Sequence, residues 1–188
     1  MTDDLPELEA FAVWDERLRQ VARPADADAM ADAAARAETL AAEAAEAGTR
    51  RDLLAYAGAA YRMLGRGDDA VRCLRGALEL AGGDPDARAE VVALIRLGEA
   101  ERCRDRFTEA EALLRAALDR ARRVGSHEDF ALQHLGKCLV DAGEADEAVP
   151  VLERALALRL ERGDAALVDS TRRALALALR ARARTAAS

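Results

Sequence analysis

The stretch RRDLLAYAGAAYRMLGRGDDAVRCLRGALELAGGD, from Arg50 to Asp84, decides the fold. Counted from Gly58 as position 0, Leu54 and Ala57 stand at −4 and −1 and Tyr61 at +3. Gly65 follows at +7, then Ala70, Leu74 and Ala77 at +12, +16 and +19. A residue without a side chain at 0 lets a second helix come close, and Gly65 breaks the first helix. Small Ala70 and Ala77 then sit where the second helix crosses the first. The pattern is a hairpin of two antiparallel helices with small residues at the contacts and large ones beside them.

One such hairpin cannot bury its own apolar face, so it must recur. Around Gly98 the same offsets give Leu94, Leu97, Ala110, Leu114 and Ala117. Around Gly136 they give Leu132, Leu135, Leu139, Gly143, Ala148, Leu152 and Ala155. The reference glycines are 40 and 38 residues apart. These residues and spacings resemble the tetratricopeptide repeat, whose standard period is about 34 residues. The longer period is similar to the branch that includes kinesin light chains and bacterial regulatory arrays. The resemblance implies an all-α, right-handed α-solenoid of antiparallel hairpins, with about nine helices here.

Composition agrees with an all-α chain. About a quarter of the 188 residues are Ala, the best helix former, and β-branched residues are scarce. A coiled coil is disfavoured because Gly or Asp-Pro interrupts the pattern every 15 to 20 residues. The length suits a single domain, 1–188. Within it the spacing predicts repeats over 50–84, 87–124 and 127–162, and a C-terminal capping helix over 164–183. A degenerate first repeat is expected over 5–48, with one helix from about Asp4 to Arg23 and a second from about Ala25 to Ala47. There Trp14 takes the −4 position and Leu18 replaces the glycine at 0. Expected helix caps are Thr49, Asp84 before Pro85, Thr108 in a capping box with Glu111, and Ser126. Pro150 is expected to kink its helix mildly. The last helix carries Arg172, Arg173, Arg180 and Arg182 on its outer face, as a solvent-facing end of an array requires.

The net charge is −7, which disfavours nucleic acid as a partner. No apolar run is long enough for a membrane span, and the N-terminus lacks the marks of a secretory signal. Three cysteines far apart, Cys73, Cys103 and Cys138, suit reduced thiols in a cytoplasm. Phosphate-loop and H-E-x-x-H patterns are lacking. His127 and His134 have no third ligand in sequence, so neither a metal nor another cofactor is expected. At least two of the cysteines read as buried small hydrophobes, and His134 as partly exposed. Acidic pairs such as Asp68-Asp69 stand in first turns, where the helix dipole favours them. No catalytic constellation emerges, and the expectation is a protein that is not an enzyme.

In the family the first helix of each hairpin lines the concave wall, and positions −3, +1, +4 and +5 tend to touch ligand. The resemblance therefore implies Ala55, Ala59, Arg62 and Met63 in one repeat, and Ile95, Glu99, Arg102 and Cys103 in the next. The third supplies Gln133, Lys137, Val140 and Asp141, and the degenerate first supplies Asp15, Arg19, Ala22 and Arg23. The carboxylate clamp of the co-chaperone members, Lys at −3 and Asn at +1, is replaced here by Ala55 with Ala59 and by Ile95 with Glu99. What remains is a groove set of Arg19, Arg62, Arg102, Glu99, Gln133 and Lys137. Its sharpest reading is a row of cations for an acidic or phosphorylated segment, since Arg forks pair carboxylates and phosphates. The plainer reading is a solvated face balanced by Glu99 and Asp141. The function expected is a module binding a peptide or protein segment. The alternatives are a homo-oligomeric scaffold and a peptide-sensing regulatory subunit acting through another chain.

Overall fold

A computed structural model describes residues 5, 12–15, 21–24 and 26–186. After a short antiparallel pair, β1 (Ala12–Asp15) and β2 (Val21–Pro24), eight helices follow. They are α1 (Ala27–Glu43), α2 (Ala47–Met63), α3 (Gly67–Ala81), α4 (Ala87–Cys103), α5 (Phe107–Val124), α6 (Glu128–Ala142), α7 (Ala145–Arg162) and α8 (Ala165–Ala186). Each packs on its chain neighbours, and α2, α4, α6 and α8 also touch in succession. The result is an α-solenoid: hairpins α2–α3, α4–α5 and α6–α7, with α1 before them and α8 after.

The register rests on three crossings. A Cβ built on Gly58, Gly98 or Gly136 would stand no more than 2.7 Å from the Cγ of Leu74, Leu114 or Leu152. These are the 0 and +16 positions of each repeat. Ala70, Ala110 and Ala148 at +12 are fully buried beside them. Dispersion contacts in such packing are lost steeply with separation, so a methylene more or less at the crossing is felt along the pair.

The turn inside each hairpin is made by backbone. Position +7 has a positive φ in all three repeats: 75° at Gly65, 61° at Asp105 and 87° at Gly143. The next N–H then donates to the carbonyl at +3: Arg66 to Tyr61 at 2.9 Å, Arg106 to Glu101 at 3.0 Å, Glu144 to Leu139 at 2.8 Å. This left-handed closure satisfies helix-end carbonyls without a side chain.

Several expectations are corrected. In place of one helix from about Asp4 to Arg23, Ala12–Asp15 pairs with Val21–Pro24, and helices number eight among the described residues. Val13, Trp14 and Val21 favour extended backbone, and Pro24 is tolerated at the end of an edge strand. Thr49 is not a cap, because α2 starts two residues earlier at Ala47, and Arg50 Nη2 closes the α1–α2 corner on the Ala44 carbonyl at 2.8 Å. Asp86 rather than Asp84 caps α4, accepting from the Arg88 N–H at 3.0 Å. Asp84 instead accepts from the Asp86 N–H and ion-pairs with Arg51, tying the loop to α2. Helix α5 starts at Phe107 with no side-chain cap, so Thr108 lies inside it. His127, at φ 65°, caps α6 in place of Ser126, which instead meets the His127 Nδ1 at 2.7 Å. Pro150 lies in the second turn of α7, where the expected mild kink would fall.

A groove on the wall of first helices

The first helices of the hairpins share one wall, and the seam between α2 and α4 carries a hollow at each end. Near their starts, a hollow of about 370 Å³ is bordered by Arg51, Ala55, Val92, Ala93, Arg96 and His127. Near their ends, one of about 260 Å³ is bordered by Arg62, Gly65, Ala100, Cys103 and Arg104. Small residues make these hollows, since Ala55 and Ala93 leave room where larger side chains would fill it.

The expected site residues fall into two groups. Glu99, Arg102 and Lys137 come together across the α4–α6 seam, with Gln133 buried one turn before Lys137 on α6. Glu99 Oε2 lies 3.1 Å from His134 Nδ1, and Glu99 Oε1 lies 3.6 Å from Lys137 Nζ and 3.3 Å from Arg102 Nη2. Arg102 is 1% exposed, and its Nη1 donates to Asp141 Oδ2 at 2.5 Å. Lys137 and Gln133 are also buried. Arg102 is therefore a brace between repeats rather than an open ligand-binding cation. Arg62 is half-buried and borders the second hollow; its side chain makes no direct hydrogen bond or ion pair among the described residues, although its charge acts on Glu99. Arg19 lies outside the described residues.

Electrostatics explains the cluster. Burial opposes ionisation of Glu99, but His134, Arg62 and Lys137 outweigh it and hold the carboxyl well below its ordinary value. Burial pulls both His134 and Lys137 below their ordinary values despite the attraction of Glu99. A group that binds protons less readily when folded stabilises the fold above its unfolded pKa and loses that contribution as pH falls. Both Glu99 and His134 act in this direction, starting from ordinary values of 4.5 and 6.5. Thermal unfolding from neutral to acidic pH is expected to fall less steeply for His134→Gln below about pH 6.5. The Glu99→Gln variant is expected to be less stable than wild type at neutral pH and to lose less below about pH 4.5, so that the two converge in acid. Unchanged slopes in both would contradict this assignment.

Sequence reasoning missed His134 as the partner of Glu99. It is half-buried in the cluster rather than at a free surface. The signal was the repeat itself: Glu99 and Lys137 hold the same +1 position in adjacent repeats, and like positions stack. Of the thiols, Cys73 and Cys138 are buried and pushed up to about 12 and about 11 by burial. Cys103 borders the second hollow. Among the described residues, no group of His, Cys, Asp and Glu has the arrangement of a metal site, and no helix is long and apolar enough to cross a membrane.

Paired helices crossing at glycine, closed by a left-handed turn and stacked with a period near 40, define a helical-repeat solenoid. The tetratricopeptide-repeat model matches residues 49–123 and 89–161, and the chain belongs to that family. The family's repeats generally mediate protein–protein interaction. Among solved structures, the chain is similar to a putative kinesin light chain of Podosopora anserina with nearly identical TPR-like repeats. Identity is 18% and the TM-score 0.66, over 84% of this chain and 81% of that one. A substituted form of that same protein matches at 17% identity and TM-score 0.67, over 84% and 80%. BtubC (BKLC) from P. vanneervenii matches at 18% identity and TM-score 0.56, over 86% and 73%. These likenesses concern the fold. No curated protein matches the chain.

Proposed function

We propose that the chain is a non-enzymatic interaction module that holds an extended peptide or protein segment along the wall of α2, α4 and α6. The observation that supports this reading is Arg62, a half-buried cation at a hollow whose guanidinium makes no direct ion pair among the described residues and reaches Glu99 only at longer range. It is suited to an acidic group of the bound segment, because a guanidinium presents paired donors to a carboxylate or phosphate. Arg102 and Lys137 hold Glu99 in place, so the surface is fixed before the segment arrives and less ordering is needed on binding. Reduced thiols fit a cytoplasmic setting.

The test is selection of ligands from a random peptide library, followed by affinity measurement. Selected peptides are expected to be acidic and to bind Arg62→Glu about tenfold or more weakly, the usual cost of losing a charge-assisted bond. Arg154→Glu, on the exposed side of α7, is expected to leave affinity unchanged. Loss with Arg154→Glu and none with Arg62→Glu would contradict the reading.

A further inference from the structure

The two ends of the solenoid differ in charge. Residues 165–188 contain five arginines and one acid, Asp169, a net of +4 in a chain of −7, so residues 1–164 carry −11. At the other end, residues 26–46 contain six acids and one arginine, a net of −5. Helix α1 packs on α2, and α8 packs on α7 and α6, so these charges lie at opposite ends of the stack.

Helix α8 repeats the pattern of a first helix, and among the described residues it packs on α7 and α6. Ala174 lies 38 residues after Gly136, at the 0 position, and is buried at 2% exposure. In the three complete hairpins, positions −1 and +3 are buried by the second helix: Ala57 and Tyr61, Leu97 and Glu101, Leu135 and Leu139. In α8 these positions are Arg173, which is exposed, and Leu177, at 39%. Asp169 begins the same stripe and Arg180 and Arg184 continue it, because residues three and four apart share a helix face, so the stripe holds three cations and one acid. Arg173 and Arg180 make no ion pair among the described residues. The expected solvent-facing cap is therefore interrupted by exposed leucine. On α1, exposed Asp28, Asp32 and Glu43 fall on one stripe by the same spacing with Arg36 among them, three acids to one base.

We propose that the chain binds a second copy of itself end to end, the Arg173–Leu177–Arg180 face of α8 in one copy meeting the Asp28–Asp32–Glu43 face of α1 in the next. The interface is heterologous, so each copy keeps one face free and the assembly grows as an open series rather than closing at a dimer. An anionic membrane or a nucleic acid would also be drawn to α8, but the second copy brings its own α1 end, a net of −5 over residues 26–46, as the complementary face. The attraction weakens with salt, as exposed charge pairs do.

The test is sedimentation velocity on the full chain at low and high ionic strength. Average mass is expected to rise at least twofold with concentration in low salt and to return to the 20.1 kDa monomer in high salt. Arg173→Glu/Arg180→Glu and Asp32→Arg/Glu43→Arg, each checked for unchanged helicity, are expected to stay monomeric alone and to associate when mixed. Arg62→Glu, in the groove, is expected to associate as wild type does, so the outcome is independent of peptide binding. A monomeric wild type at all concentrations in low salt would overturn the proposal. So would reversal variants that associate like wild type. Binding of a monomeric wild type to phosphatidylserine vesicles, lost on Arg173→Glu/Arg180→Glu, would overturn it in favour of a membrane surface.

Discussion

Asp129→Ala is expected to destabilise the chain by about 3–5 kcal/mol, the usual cost of breaking a buried ion pair by removing one partner. Asp129 is 1% exposed and Arg159 is 2% exposed. Asp129 Oδ2 accepts from Arg159 Nε at 3.0 Å, and Asp129 Oδ1 accepts from Arg162 Nη1 at 2.6 Å. Arg159 also stacks over the Phe130 ring at 5.0 Å and donates through Nη1 to Thr171 Oγ1 at 2.8 Å and to the Leu167 carbonyl at 3.1 Å. This one guanidinium joins α6, α7 and α8. Without Asp129 it stays buried as an uncompensated cation. Urea unfolding of Asp129→Ala, Arg159→Met and the double variant checks the claim. The double variant is expected to lose clearly less than the sum of the singles. Hydrogen exchange should speed up in α8 before α2 and α3, because repeats depend on their neighbours. Additive losses, or exchange that rises uniformly, would contradict it.

Gly98→Leu is expected to lower stability by about 1–3 kcal/mol, the usual cost of overpacking a core. Its Cβ alone would lie 2.7 Å from Leu114 Cγ and 3.3 Å from the Ala110 carbonyl oxygen. The leucine can rotate away, but the carbonyl belongs to the helix and cannot, so α4 and α5 must separate. A Gly98→Leu/Leu114→Ala variant returns volume at the crossing and should recover part of the loss. Thermal unfolding unchanged in Gly98→Leu would show that the helices do not cross there.

Gly58, Gly98 and Gly136 were legible in sequence because close approach of two backbones admits few residue types and the requirement recurs each repeat. The turn at +7 was legible at Gly65 and Gly143 but hidden at Asp105, where an ordinary side chain takes the same left-handed conformation. Thr49, Asp84, Thr108 and Ser126 look like caps locally, yet helix starts here follow the backbone turn and the stacking of repeats, which no local motif reports. The groove was read one repeat at a time. Arg102 then looks like a ligand contact, although Asp141, 39 residues on, lies beside it in the next repeat and buries the pair. Val13, Trp14 and Val21 carry a strand signal in the first segment, one that the helical period of the later repeats masks when it is extended backwards.

The most direct measurement of the central claim is amide chemical-shift mapping of the isotope-labelled chain titrated with a library-selected acidic peptide. Perturbations are expected along α2, α4 and α6, strongest around Arg62 and Cys103 at the second hollow, and are expected to be lost in Arg62→Glu. Perturbations confined to the exposed sides of α3, α5 and α7, with the first helices silent, would contradict it.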